Sequence, residues 1–258
     1  MRPLKSVVAI GLLLILLSTP VLQAGITKDD VIVSVIDTTE EIPSNNTDSN
    51  VANSLSTSLD KEAKDLYESM RLRRYGLTQN AFVFAWKGYK KLLEKGSIYK
   101  KGVLSIADFS QSSRRKRLYV LDVETKKVLV NTYVAHGRNS GGEYAKSFSN
   151  KPESHKSSLG FYVTRKTYWG DHGLALNIDG VERGINDLAN DRNIVVHGSE
   201  YVGADFLRWN RFNGRSYGCP AVPAKDTKKV INSIKDGSCF FIYHPSKNYL
   251  QKSKILNG

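Results

Sequence analysis

The chain is predicted to be mainly β with peripheral helices, an α+β domain preceded by a short helical segment. Apolar spacing is helical between Asp60 and Gly96 and again from about Lys225 to Lys235. Beyond Lys101 the rhythm changes to period two, in short runs of Val, Ile, Leu, Tyr and Phe separated by turn residues. The 258 residues, 40% hydrophobic and 24% charged, suffice for a sizeable core and exclude collagen, a coiled coil and a multi-span membrane protein.

The first 24 residues read as a secretory signal peptide. Arg2 and Lys5 precede an apolar run from Val7 to Leu17, followed by Pro20 and a small residue at Ala24. The run is too short to cross the roughly 30 Å of a bilayer core as a helix, so no stable membrane span is expected after cleavage. The mature chain is expected outside the cytoplasm, in the periplasm or cell envelope. Residues 25–59 turn to Ser, Thr, Asn and Asp without apolar periodicity and read as a flexible linker.

A helical prefix is expected over 60–98. Ala63, Leu66, Tyr67 and Met70 fall on one stripe; Phe82, Ala85, Trp86, Tyr89, Leu92 and Leu93 fall on a second, with Thr78 placed to cap its start and Gly96 its end. Strands are expected at 103–109, 117–123, 128–135, 160–168, 173–178 and 193–197, with a hairpin turn at 123–128. The last helix leads through Gly237 into an apolar strand from Cys239 to Tyr243, and 251–258 is read as a C-terminal tail.

Lys and Arg number 38 against 25 Asp and Glu, a formal charge of +13 that favours anionic partners. An exported chain makes nucleic acid a poor candidate, and Arg114, Arg115, Lys116 and Arg117 read as a solvated turn without interleaved aromatics. Two cysteines build neither a disulfide scaffold nor a four-cysteine zinc site. His155, His172 and His244 follow no metal-ligand spacing and read as surface or satisfied-core histidines, and no phosphate-binding glycine loop is present. No cofactor and no metal are expected.

Chemistry concentrates between Ile194 and Val222. His197 ends an apolar strand, and Cys219 sits in the turn Gly214-Arg215-Ser216-Tyr217-Gly218-Cys219-Pro220, whose composition is unlike a core strand. An ordinary thiol pKa near 8.5 leaves only a few per cent thiolate at neutral pH. An imidazole that takes the proton makes Cys219 and His197 a plausible nucleophile and base. Gly218 lets a carbonyl approach the backbone, and the amides around Gly218 and Cys219 are candidate oxyanion donors. Cys239, followed by Phe-Phe-Ile-Tyr, is expected to be buried and inert.

At these residues the chain resembles the L,D-transpeptidase superfamily, in particular its second branch, the murein L,D-transpeptidase catalytic domain family within the YkuD-like domains. The matched blocks are Val134 to Gly141, Ser158 to Thr164, Gly184 to Asp187 and Gly214 to Pro220. The resemblance covers roughly residues 62–250, with 99–250 as the catalytic domain, and implies a β-sandwich-like fold acting on peptidoglycan stem peptides, donor and acceptor. In such enzymes the cysteine attacks the bond after the third, diamino-acid residue of a tetrapeptide stem, releases the terminal D-amino acid and passes the acyl group to an amine.

Carried over position by position, Cys219 matches the nucleophile, His197 the base, and Ser216 with Gly218 the supporting turn. Tyr217 replaces the main branch's second histidine, and Pro220 with Ala221 replaces the residues that include its usual arginine, a charge that Arg215 is placed to supply. His136, Arg138 and Asn139, with Arg215 and Tyr217, are candidate substrate-binding residues, a guanidinium pairing with a stem carboxylate. Hydrolysis of the same acyl-enzyme, as an L,D-carboxypeptidase or endopeptidase, is one alternative. A non-enzymatic wall-binding module with a Cys219–Cys239 disulfide is another. A monomer is expected.

Overall fold

A computed structural model describes residues 47–171 and 173–258. The expected signal peptide, the start of the expected linker and His172 lie outside the described residues.

The linker expected over 25–59 ends early, because helix α1 spans Thr47–Ser69. Val51, Leu55 and Leu59 stand four residues apart in register with Ala63, and extending an existing helix costs far less than starting one. After a 3-10 turn at Leu72–Tyr75 comes α2, Gln79–Glu94, whose first turn is capped by Thr78 Oγ1 accepting from the Ala81 amide. Its inner stripe buries Phe82, Ala85, Trp86, Tyr89 and Leu92, each large side chain contributing roughly 1.5–3 kcal/mol. Gly88 lets α2 lie directly on Phe161, since a Cβ there would sit 1.9 Å from that ring.

Eight strands form one mixed sheet: β1 Val103–Asp108, β2 Leu118–Asp122, β3 Lys127–Thr132, β4 Gly160–Gly170, β5 Gly173–Gly180, β6 Val195–Ser199, β7 Ala221–Pro223 and β8 Cys239–Tyr243, in the order β3-β2-β1-β8-β4-β5-β6-β7. The class is therefore mainly β with peripheral helices, as expected. β1 and β8, paired in parallel at the centre, are buried at every residue, and α2 packs on both. A one-turn helix, α3 at Ala204–Leu207, follows β6, and helix α4, Thr227–Ile234, touches β1, β2 and β3 as well as β5 and β6.

The strand expected over 128–135 stops at Thr132, but the chain beyond it closes the sheet. The Ala135 amide donates to the Ala221 carbonyl at 2.8 Å, bridging the continuation of β3 to β7, and Thr132 Oγ1 donates to Asp226 at 2.5 Å. The chain that follows β3 thus reaches β7 at the opposite edge of the sheet through a single bridge. The three residues of β7 lie too close to the Cys219 turn to show a period, and they pair in parallel with β6, setting His197 opposite Ala221.

The C-terminal residues are not a tail. Helices α5, Lys247–Lys252, and α6, Lys254–Asn257, dock on a buried carboxylate: Glu182 accepts from the Phe161 amide at 2.8 Å, from the Tyr249 hydroxyl at 3.1 Å and from the Ser253 hydroxyl. Burial raises its pKa. Asn186 holds the same segment, accepting from the Glu182 amide and donating to the Leu159 and Phe161 carbonyls. Arg117 departs from the solvated-turn reading: it is fully buried, donates to Val134 O at 3.0 Å and Gln111 O at 2.7 Å, and covers the Phe109 ring.

Candidate active site

The turn carrying Cys219 is built around one hydroxyl. Ser216 Oγ accepts from the Gly218 amide at 3.1 Å and donates to the Cys219 carbonyl at 2.6 Å, closing the turn from inside. Gly218 has φ 127°, and a Cβ there would sit 2.9 Å from Lys156 O and 3.0 Å from Ile194 Cδ1. The Gly218 amide, expected as an oxyanion donor, is therefore engaged by Ser216, and the Cys219 amide is the remaining candidate.

Two loops clamp this turn. Ser216 N donates to His136 O at 3.1 Å, and its carbonyl accepts from the Arg138 amide at 2.7 Å. Ser157 Oγ donates to Gly218 O and accepts from the Gly137 amide, while the Ser157 amide donates to Ser140 Oγ. These short hydroxyl links explain the Ser-rich run 154–158, which shows no period in the sequence.

His197 is buried on β6, and its Nδ1 lies 2.9 Å from Gly198 O. A neutral ring bonded this way donates from Nδ1 and presents its lone pair at Nε2, the tautomer a general base needs. His197 and Cys219 line one cleft of about 1010 Å³. The Cys219 thiol donates to Asn193 O at 3.5 Å, and Asn193 holds φ 52°, a left-handed conformation of the kind that gathers at functional sites. Burial raises the Cys219 pKa, and a hydrogen bond from the Val195 amide and the charge of Arg192 oppose that rise.

Arg192 is the residue that sequence reasoning missed. Its guanidinium donates to Ser149 O and Ser158 Oγ at 2.8 Å and to Lys156 O at 2.5 Å, and its Nη2 would lie 3.2 Å from a Cβ on Gly218. It therefore fastens the 149–158 loop beneath the Cys219 turn and puts a positive charge near the sulfur. Arg215, proposed from the sequence for that charge, instead donates to Arg138 O at 3.3 Å and Gly141 O at 3.1 Å on the rim. No spacing rule links Arg192 to Cys219; the fold brings them together.

Of the expected binding residues, Arg138, Arg215 and Tyr217 line the cleft. Tyr217, 64% exposed, stacks on His155 at 4.4 Å between centroids, with the Arg138 guanidinium 5.7 Å from its ring. His155 thus borders the site. His136 and Asn139 do not line the cleft. His136 is fully buried, with Nδ1 2.7 Å from Arg117 Nη2; burial and that guanidinium hold its pKa down to about 3, so the ring is neutral, and only the His136 carbonyl reaches the Cys219 turn, accepting from the Ser216 amide. Asn139 donates to Ser154 O at 3.0 Å and pins the two loops to each other.

Arg138, Arg192, Arg211 and Arg215 face the cleft against a single acid, Asp171, and Tyr168, Tyr201, Phe206 and Phe212 add aromatic surface. The cleft is fitted to an extended substrate with carboxylates and apolar stretches. Both cysteines are free, with Cys239 buried in β8, so the expected alternative of a Cys219–Cys239 disulfide does not hold. Among the described residues no group of three or more His, Cys, Asp or Glu is arranged to hold a metal ion, and no helix is long and apolar enough to cross a membrane.

A sequence profile of the L,D-transpeptidase catalytic domain matches residues 73–243, from the 3-10 turn before α2 to the end of β8. Similar solved structures include a mutant of the helical cell shape determining protein Pgp2 from Campylobacter jejuni, 15% identical with TM-score 0.39 over 62% of this chain and 57% of that one. An L,D-transpeptidase from Mycobacterium smegmatis is 12% identical with TM-score 0.34, over 55% and 59%. One from Xylanimonas cellulosilytica is 16% identical with TM-score 0.32, over 65% and 81%. The match thus spans less than three fifths of the first two relatives' length. Among curated proteins there is no match.

Proposed function

The chain belongs to the L,D-transpeptidase catalytic domain family, and from that premise we propose that it is a cysteine acyltransferase acting on peptidoglycan stem peptides in the cell envelope. The observation that carries the proposal is the convergence of Cys219, His197 and Arg192 on one arginine-rich cleft.

His197 Nε2 takes the Cys219 proton as the sulfur attacks the carbonyl carbon after the stem's third residue. The carbonyl's electron pair moves onto its oxygen, where the Cys219 amide donates to it. Collapse re-forms the carbonyl and expels the terminal D-amino acid, whose nitrogen receives the proton from His197, leaving a thioester on Cys219. The amine of a second stem then attacks that thioester, loses a proton to His197 and releases the thiolate, which recovers the proton. Because burial raises the Cys219 pKa, the base is needed at the moment of attack, and Arg192 steadies the thiolate that forms and leaves.

Arg138 and Arg215 on the rim hold stem carboxylates, and Tyr217 fixes the orientation of Arg138. The N-terminal 24 residues fit export to the compartment where this substrate is found. Mass spectrometry of tetrapeptide muropeptides incubated with the protein tests the proposal beside a Cys219→Ala control. Cross-linked dimers that lack the terminal D-amino acid are expected. Shortened stems without dimers move the acceptor from an amine to water, and no change in either sample overturns the proposal.

A further inference from the structure

A second cleft of about 720 Å³ lies beside the first and shares Tyr201 with it. Tyr201 packs against Gly214, where a Cβ would sit 2.5 Å from its ring, so the ring forms the partition between the clefts. The same two strands serve both: Tyr168 and His197 line the first cleft, and their neighbours Trp169 and Gly198 line the second. Alternation along the β4–β5 hairpin turns one aromatic to each side.

The two clefts differ in chemistry. The first faces four arginines against one aspartate, whereas the second carries one acid, Glu200, and one base, Lys228, with Ser199, Thr227 and Asn232. Glu200, Lys228 and Asn232 are exposed and unpaired among the described residues. Trp169 is 81% exposed near the tip of the hairpin, on the side where a Cβ on Gly173 would come within 3.8 Å of its ring. A broad indole face beside unpaired donors and acceptors of balanced charge suits a neutral ligand with an apolar face and a polar edge, which describes a pyranose ring.

We infer that the second cleft binds an N-acetylated sugar of the glycan strand whose stem peptide occupies the first. The sugar lies on Trp169, and its hydroxyl and acetamido groups bond Glu200, Lys228 and Asn232. This rests on the acyltransferase reading for its substrate but on separate residues for its site.

The test is calorimetric titration of the full chain with the N-acetylglucosamine tetramer, a sugar with no peptide. Trp169→Ala is the test variant, and Trp209→Ala is the control, since Trp209 is 89% exposed and lines neither cleft. Saturable binding is expected for the parent and the control, weakened about two- to tenfold in Trp169→Ala, the scale of one lost aromatic contact. In turnover assays the preference for a disaccharide-bearing stem over the bare stem is expected to shrink in Trp169→Ala. No saturable binding, or equal loss in both tryptophan variants, overturns the sugar site even where turnover is normal. Tetramer binding lost only in Trp169→Ala supports the site even if no stem is turned over, in which case the acyltransferase reading is what fails.

Discussion

Cys219 and Cys239 place the same side chain in two neighbourhoods that differ in the sign of the nearest charge. Cys239 opens β8 at the centre of the sheet, opposite Leu104 of β1 and Val163 of β4, and is fully buried. Burial pushes its pKa up, and buried Glu182 pushes the same way. Cys219 is also desolvated, yet the neighbouring Arg192 pulls its pKa back down. Burial alone makes a thiol inert. The Cys219 turn is instead held by a serine hydroxyl, with a guanidinium near it and an imidazole lining the same cleft, surroundings of the kind that stabilise a thiolate.

The largest expected effect separates the two cysteines. Cys219→Ala abolishes muropeptide turnover and leaves the melting temperature close to the parent's. Cys239→Ser keeps turnover and loses about 1–3 kcal/mol in denaturant melts, because it buries a hydroxyl in an apolar strand. Equal loss of activity in both variants removes the distinction.

Arg192 accounts for the difference in charge, and Arg192→Gln tests it. The pH midpoint for alkylation of Cys219 is expected to move up and the rate at pH 7 to fall several-fold, with Arg192→Lys recovering part of the shift. If both variants lose activity with an unmoved midpoint, Arg192 acts only as the clasp on Ser149, Lys156 and Ser158.

Around Cys239 the corresponding lever is Glu182. Glu182→Gln is expected to cost about 1–3 kcal/mol by weakening the bonds that hold Tyr249 and Ser253. Hydrogen exchange should rise first across 247–257, with turnover retained. Unchanged exchange there means that apolar packing, not the carboxylate, docks the C-terminal helices.

What the sequence made legible follows from how local each signal is. The α2 stripe, its Thr78 cap and the apolar run of β8 are written in neighbouring residues, and so is the Cys219 turn, where glycine, proline and a serine hydroxyl must stand within a few positions. Arg192, His155 and the buried Arg117–His136 pair take their places through contacts between loops distant in the chain, so the sequence showed Arg117 as part of a solvated turn, His155 as a surface or satisfied-core histidine, His136 as a candidate binding residue and Arg192 not at all. Asn139 and His136 sit in a loop next to the site in sequence and face away from the cleft, because the Gly137–Ser216 bridge brings the backbone rather than those side chains to the turn. The C-terminal helices were missed for a related reason: the buried carboxylate that holds them is about seventy residues away in the chain.

The smallest effect tests the underside of the Cys219 turn. His136 accepts from Arg117 and has its pKa held at about 3, against an ordinary 6.5, by burial and by that guanidinium. The unfolded chain therefore takes up this proton as pH falls through about 6.5, while the folded chain resists until near 3. Below pH 6.5 the unfolded state binds more protons, so stability declines as pH falls, by about 1.4 kcal/mol per pH unit where the difference is one full proton. His244, also lowered by burial, adds a slope of the same sign, so only the difference between two proteins isolates His136. His136→Gln keeps an acceptor for Arg117 and cannot titrate. It is expected to be somewhat less stable than the parent at pH 7 and to lose less as pH falls, so the two stabilities converge between pH 6 and pH 4 in denaturant melts. Parallel curves would mean that His136 does not hold off its proton in the folded chain, and that burial beside Arg117 leaves its titration where the unfolded chain has it.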